Sequence, residues 1–198
     1  MRLMIATPAY DPMVWMETYA AMVQLDKCGM DVVSFTPTGF TVSKARTLTA
    51  EAAIAEKADW LLFVDSDVVP PKDGLRNLLE HDKEVCFGYY TKGTGDGDQT
   101  CLYEKGDTYG KIIGREQLKE LNRSGETLLE VHAGGMGFAL VWVPVFGMIR
   151  KGWFEYAWSP SGRKMSEDYH FCNRCREAGL KLYADTRVDC GHMRPQVI

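Results

Sequence analysis

Two acids, Asp65 and Asp67, stand two apart at the end of an unbroken apolar run, Trp60-Leu61-Leu62-Phe63-Val64. Carboxylates so placed, with Ser66 between them, make a hard, anionic, oxygen-rich spot whose natural guest is a divalent cation bridging to phosphate oxygens. A second acidic pair, Glu167-Asp168, follows Ser166 late in the chain, and His192 lies beyond it. Between these features runs a glycine turn, His132-Ala133-Gly134-Gly135-Met136-Gly137, with an aromatic cluster downstream from Trp153 to Trp158.

The run Trp60 to Val64 has no polar face, so it reads as a strand buried on both sides of a sheet. Pro70 and Pro71 end the extended segment. The two acids therefore belong on a loop at the carboxyl end of a central strand, where open α/β sheets bind ligands. Upstream, Leu3 to Ala6 is a short strand. A helix is expected from Asp11, with Pro12 in its first turn, to Cys28, where Gly29 stops it. Val14, Trp15, Met22, Val23 and Leu25 give it an apolar stripe. Asp31 to Phe35 is a second strand. Ser43 is placed to cap a helix from Lys44 to Lys57. The order β-α-β-α-β implies a parallel, doubly wound sheet. No G-x-G-x-x-G follows the first strand and no P-loop is present, which argues against a dinucleotide fold and a P-loop NTPase.

Downstream, a short helix from Pro71 to about Glu80 and a strand from Val85 to Tyr90 are expected. Lys92 to Gly114 carries six glycines and reads as a hairpin or mobile loop. A short helix (Glu116 to Arg123), a strand (Thr127 to Val131), the glycine turn, a strand (Phe138 to Val143) and a helical segment (Pro144 to Lys151) follow. Ser159 to Lys164 is a polar loop. Ser166 reads as the cap of the last helix, with Glu167 and Asp168 in its first turn. Gly179 ends that helix, and two short strands, Lys181 to Ala184 and Arg187 to Cys190, lead to His192.

A chain of 198 residues suits one domain, and 45% hydrophobic with 25% charged residues is ordinary for a globular protein. Net charge is −4 with no basic stripe, so nucleic acid is not indicated as a partner by charge. No apolar stretch approaches the ~20 residues that span a bilayer. The N-terminal residues are too short for a signal peptide and read as a strand. The six scattered cysteines then point to reduced thiols and a cytoplasmic setting.

The ordered set resembles the GT-A glycosyltransferases, and most closely the small bacterial and phage members of the glycosyltransferase family 2 group. Ala45-Arg46 looks like that family's donor-contacting basic position, and Asp65-Ser66-Asp67 like its D-x-D. Gly134-Gly135-Met136-Gly137-Phe138 looks like its acceptor loop, Glu167-Asp168 like its E-D pair, and Val188-Asp189-Cys190-Gly191-His192 like its closing V-x-x-x-H. Family members often carry an acid after the second strand, where this chain has Phe35-Thr36-Pro37.

The resemblance implies an α/β, GT-A type fold: a Rossmann-like, mostly parallel central sheet with helices on both faces and a small antiparallel excursion. It implies one domain over residues 1–198, with 1–90 as the nucleotide-sugar donor half and 91–198 as the acceptor half. The activity it implies is transfer of a sugar from a UDP- or GDP-sugar to an acceptor hydroxyl with Mn2+ or Mg2+, by inversion. Asp67 and His192 would hold the metal. Asp65 would lie on the sugar side or reach the metal through water. Arg46 and either Arg163 or Lys164 would contact phosphate. Asp168, with Glu167 as second choice, would take the acceptor proton. Tyr10, Trp153 and Trp158 would stack on base or sugar, and Gly134 and Gly135 would contact acceptor.

Two other readings are open. A non-catalytic nucleotide- or glycan-binding module on the same fold would need the acids at 65 and 67 but not Asp168. A zinc-stabilised interaction domain would use Cys172-x-x-Cys175 with Cys190 and His192.

Overall fold

The computed structural model describes residues 1–10, 13–92, 98–106, 110–158, 162 and 164–194. Its elements are, in chain order, β1 (Arg2–Ala6), α1 (Met16–Gln24), β2 (Asp31–Phe35), α2 (Val42–Ala55), β3 (Trp60–Val64), β4 (Val68–Val69) and α3 (Gly74–Glu80). Then come β5 (Val85–Tyr89), β6 (Gln99–Glu104), β7 (Lys111–Gly114), α4 (Arg115–Arg123), β8 (Leu128–Val131), β9 (Phe138–Trp142) and α5 (Val145–Met148). The last third holds β10 (Ala157–Trp158), β11 (Lys164–Met165), α6 (Glu167–Glu177), β12 (Leu182–Asp189) and β13 (Gly191–His192).

Seven strands form the central sheet in the order β2-β1-β3-β9-β5-β12-β8. β1 lies parallel to β2 and β3, and β5 parallel to β12. β9 inserts antiparallel between β3 and β5, and β8 closes one edge antiparallel to β12. The sheet is thus mostly parallel, as the strand-helix alternation of the first third requires. β3 shows why it lies at the centre. Alternate side chains of a strand point to opposite faces. Leu61 and Phe63 enter one core with Phe87 and Val141, while Leu62 and Val64 enter another with Phe138 and Leu140. Each fully buried side chain of this kind contributes roughly 1.5–3 kcal/mol.

The bounds expected for the second and third strands are those observed. The first helix differs. Asp11 and Pro12 lie outside the described residues, the helix begins at Met16, and Trp15 stands at its N-cap without a side-chain bond. Its apolar stripe is not a buried face: Val23 is exposed, Thr18 is the helix's fully buried side chain, and Leu25 is buried just beyond its end. Thr41, rather than Ser43, caps α2, its hydroxyl accepting from the Lys44 amide at 3.4 Å. The Ser43 hydroxyl instead donates to the Phe154 carbonyl, tying α2 to the aromatic cluster.

The glycine-rich segment contains the hairpin β6–β7. The two strands expected before His192 are one strand, β12, with a bulge. Ala184 pairs with Phe87 and Asp189 with Tyr89, so five steps of β12 match two of β5. Asp185 and Arg187 hold this bulge: the carboxylate of fully buried Asp185 binds the Arg187 guanidinium at 2.7 Å and His81 of the α3 end at 2.7 Å, and Arg187 reaches Glu80 at 3.0 Å.

The zinc reading is not supported. Cys172 and Cys175 lie in one core and Cys190 in the other, across the sheet. Among the described residues no three of His, Cys, Asp and Glu gather to hold a metal ion, and all six cysteines are free thiols. No helix among the described residues is long and apolar enough to cross a membrane.

Candidate active site

The chain leaves β3 at Asp65, whose amide donates to the Gly137 carbonyl at 2.9 Å, and turns so that the Val68 amide meets the Asp65 carbonyl at 3.1 Å. This turn feeds β4, which the residue pattern had not shown. β4 pairs antiparallel with β13, Val69 opposite Gly191 and Val68 opposite His192. The Met193 amide adds a bond to the Asp67 carbonyl at 2.7 Å. The short ladder brings His192 Nε2 to 3.3 Å from Asp67 Oδ2.

The other ring nitrogen of His192, Nδ1, lies 2.8 Å from the Thr91 carbonyl oxygen. That oxygen can only accept, so Nδ1 carries the hydrogen. Nε2 then holds either a second proton or a lone pair aimed at the space it shares with Asp67. The hydrogen bond to Asp67, partly opposed by burial, holds the imidazolium to higher pH than usual. A backbone carbonyl that fixes one ring nitrogen while the other meets a carboxylate is the support a metal-binding histidine needs. Asp67 and His192 are thus two groups able to ligate a divalent cation; among the described residues no third His, Cys, Asp or Glu joins them, so any such ion would take the rest of its shell from ligand oxygens and water.

Arg46 is the site's hidden centre. It is 3% exposed, and its Nη2 donates to both oxygens of Asp65 at 3.0 and 3.1 Å while Nη1 donates to Glu167 Oε1 at 2.6 Å. One guanidinium thus joins the acids at the end of β3 to the start of α6. Burial works against its charge, but Asp65, Glu167 and Asp168 more than offset that and hold it protonated. Burial raises the carboxyls of Asp65 and Glu167 above the ordinary range despite Arg46. Asp65, Asp67, Glu167 and Asp168 outnumber Arg46, which leaves a local excess of negative charge suited to a cation.

Asp168 differs from Glu167. It is half-buried rather than buried, and its Oδ1 accepts from the Tyr169 amide at 2.7 Å and from the Ser166 hydroxyl. Ser166 stands at the N-cap of α6 but its side chain makes no cap bond; it orients Asp168 instead. Tyr90 completes the floor. Its ring meets His192 edge-on at 5.1 Å, its hydroxyl accepts from the Gly137 amide at 3.2 Å, and burial pushes that hydroxyl well above its usual pKa.

The structure does not bring every candidate residue here. Gly134 and Gly135 are buried rather than at the mouth; a Cβ on Gly134 would come 2.6 Å from the Phe87 ring. At Gly137 a Cβ would come 2.7 Å from Tyr90. Gly137→Ala should therefore cost about 1–3 kcal/mol by overpacking, seen as a lower urea midpoint. Trp153 is buried against Phe146 at 5.0 Å, so its ring is core and not a sugar platform. Trp158 and Tyr10 are largely exposed, and Lys164 lies over the Tyr156 ring at 4.8 Å. Arg163 lies outside the described residues.

Three contributors were not singled out from the residue pattern. Thr91 acts through its carbonyl, which no side-chain pattern reveals. Arg194 donates to that same carbonyl at 2.8 Å and flanks His192; its place two residues past the histidine was the available signal. The Trp15 amide bonds the Ser66 carbonyl at 3.0 Å, tying the approach to α1 to the acids.

No family model and no curated protein matches the chain. Solved structures do. A crystal structure of A197 from STIV superposes with a TM-score of 0.65 at 20% identity, over 98% of this chain and 87% of that one. GalNAc-T7, solved with UDP, GalNAc and Mn2+, also superposes with a TM-score of 0.65, at 12% identity, over 98% of this chain and 44% of that one. The chain thus spans under half the length of GalNAc-T7 but nearly all of A197. With its mostly parallel seven-strand sheet and acids at the end of β3, the chain has the GT-A fold.

Proposed function

We propose that this protein is a metal-dependent glycosyltransferase that moves a sugar from a nucleotide-sugar donor to an acceptor hydroxyl. The observation that carries the reading is the convergence of His192 Nε2 on Asp67, with Nδ1 pinned by the Thr91 carbonyl. The fold, and the presence of UDP and Mn2+ in the GalNAc-T7 structure, support it.

Asp67 and His192 would hold Mn2+ or Mg2+, which when bound supplies positive charge beside the leaving diphosphate. The donor is a UDP- or GDP-sugar. Asp65, held by Arg46, lies on the sugar side. Arg194 and Lys164 are the cations offered to the diphosphate. Asp168 takes the acceptor hydroxyl proton on its carboxylate as the hydroxyl oxygen attacks the anomeric carbon and the diphosphate leaves, with inversion. Glu167 is committed to Arg46 and serves to position it. Residues 1–90 supply Asp65 and Asp67 to the donor side, and 91–198 supply His192, Lys164 and Arg194 to it together with the base Asp168, in one domain.

A donor screen tests this. UDP-, GDP- and TDP-sugars are incubated with the protein and Mn2+, and nucleoside diphosphate release is followed. Release with one donor, dependent on Mn2+, is expected. No release and no metal-dependent nucleotide binding with any donor would sink the reading. Binding without turnover, unchanged in Asp168→Ala, would favour a non-catalytic module. Asp67→Ala and His192→Ala should each abolish the part of nucleotide binding that Mn2+ adds, measured by calorimetry with and without the ion.

A further inference from the structure

A cleft of about 740 Å3 opens away from the acids. One wall is α2 and the residues that end it: Thr47, Glu51, Ile54 and Ala58 are spaced four, three and four apart, on one face. The other wall is the chain that leaves β9, from Val143 and Pro144 through α5 to Lys151 and Gly152. Phe146 and Trp153 form the floor, their ring centres 5.0 Å apart.

The sheet separates this cleft from the donor site. β9 runs antiparallel to β3, with Phe138 opposite Val64 and Trp142 opposite Trp60. Val143 therefore lies at the start of β3, where its amide bonds the Asp59 carbonyl at 3.0 Å. The acids lie at the other end of that strand, on the order of 16 Å away. None of Asp65, Asp67, Glu167, Asp168 and His192 lines the cleft.

The lining defines what fits. Ligand clefts run to about 300–1,000 Å3, with mostly apolar walls and a few polar groups that fix orientation. Ile54 is large and apolar yet 46% exposed, and Val143, Pro144, Phe146 and Trp153 add apolar surface. The buried Trp153 indole N–H meets no acceptor among the described residues, so the wall holds a donor that the fold leaves unsatisfied. Glu51 and Lys151 border the cleft, both exposed. They are opposite in sign, yet among the described residues neither forms an ion pair. A hydroxyl both donates and accepts, so one such head can serve a carboxylate and an ammonium together. A charged head meets one of the two as a like charge.

We infer that the cleft between α2 and α5 binds a neutral amphiphile, with a hydrocarbon chain along Ile54, Phe146 and Trp153 and a hydroxyl head at Glu51 and Lys151. The inference stands apart from the glycosyltransferase reading, because it uses none of the residues on which that reading depends.

Calorimetry on the full chain tests it with octan-1-ol, octanoate, octyltrimethylammonium and propan-1-ol. Octan-1-ol is expected to bind about tenfold or more tightly than propan-1-ol, since its longer chain removes more apolar surface from water. It should also bind more tightly than either charged chain, and Glu51→Lys should make octanoate the preferred ligand. Gly147 lines the cleft without a positive φ, and a Cβ there would meet nothing within 4 Å. Gly147→Phe should therefore fill space and weaken octan-1-ol by about tenfold or more with an unchanged thermal midpoint. Ile54→Glu puts a charge in the apolar wall and should weaken it equally; this variant decides the matter if Gly147→Phe fails to fold. Equal binding of octan-1-ol and propan-1-ol would overturn the inference. So would octan-1-ol binding that the folded variants leave unchanged, since the chain would then be adsorbing elsewhere. Tighter binding of octanoate or octyltrimethylammonium by the wild type would reject the hydroxyl head. Self-association of the wild type that Ile54→Glu abolishes, with no octan-1-ol bound, would give the cleft to a second copy instead. UDP and Mn2+ binding, measured alongside, should not change with octan-1-ol; its absence counts against the glycosyltransferase reading and leaves the cleft as inferred.

Discussion

Asp168→Asn should leave Mn2+-dependent UDP binding unchanged and lower turnover by about 10²–10⁴-fold, the usual contribution of a positioned general base. The amide keeps the size of the carboxylate, and its carbonyl oxygen can still accept from the Tyr169 amide, as Asp168 Oδ1 does. It cannot take the acceptor's proton. Steady-state kinetics on the donor found by the screen, beside calorimetric UDP binding, separate the two quantities. Turnover within a few fold of wild type would remove Asp168 from the role. Glu167→Gln is the informative contrast. Glu167 is buried on Arg46 at 2.6 Å, so its loss should lower stability along with turnover.

Arg46→Met should destabilise the fold by about 3–5 kcal/mol, because it leaves Asp65 and Glu167 partly or fully buried without their cation. Arg46→Lys should recover little of that. A single ammonium cannot reproduce a planar fork that reaches Asp65 with one nitrogen and Glu167 with the other. Urea denaturation measures both. Adding Glu167→Gln to Arg46→Met should restore part of the loss, giving a non-additive cycle. A cost below about 1 kcal/mol for Arg46→Met would mean the carboxylates find water or other partners.

Periodicity located the buried strands well, because burial on both faces leaves a pattern of pure apolar type. Trp60 to Val64 is such a case, and its strand is observed residue for residue. The acids at its end and at the start of α6 were legible for the same reason, as charges abutting recognisable elements. The two-residue ladder Val68–Val69 with Gly191–His192 was not legible. Its stability comes from pairing with a distant partner, and two residues carry no period. The role of Arg46 was also hidden. A basic residue on a helix invites a ligand contact, and only tertiary packing shows that two acids from separate segments already occupy its guanidinium. The start of α1 failed for another reason: its apolar residues are largely exposed, so the stripe did not mark a packed face.

The β4–β13 ladder sets a condition on when the protein can work. Asp67 and His192 lie 125 positions apart in the chain. Bringing two such points together costs a flexible chain about 4 kcal/mol in closure entropy. The docking of β12 beside β5 and the clipping of its bulge to α3 offset that cost in the folded chain. During synthesis, a chain still lacking its last strands would carry both acids of the D-x-D but no imidazole opposite them. The Asp67–His192 pair would then form in one step, with the pairing of β13 on β4. Activity recovered after dilution from denaturant should accordingly lag behind the return of helical signal and coincide with completion of the fold.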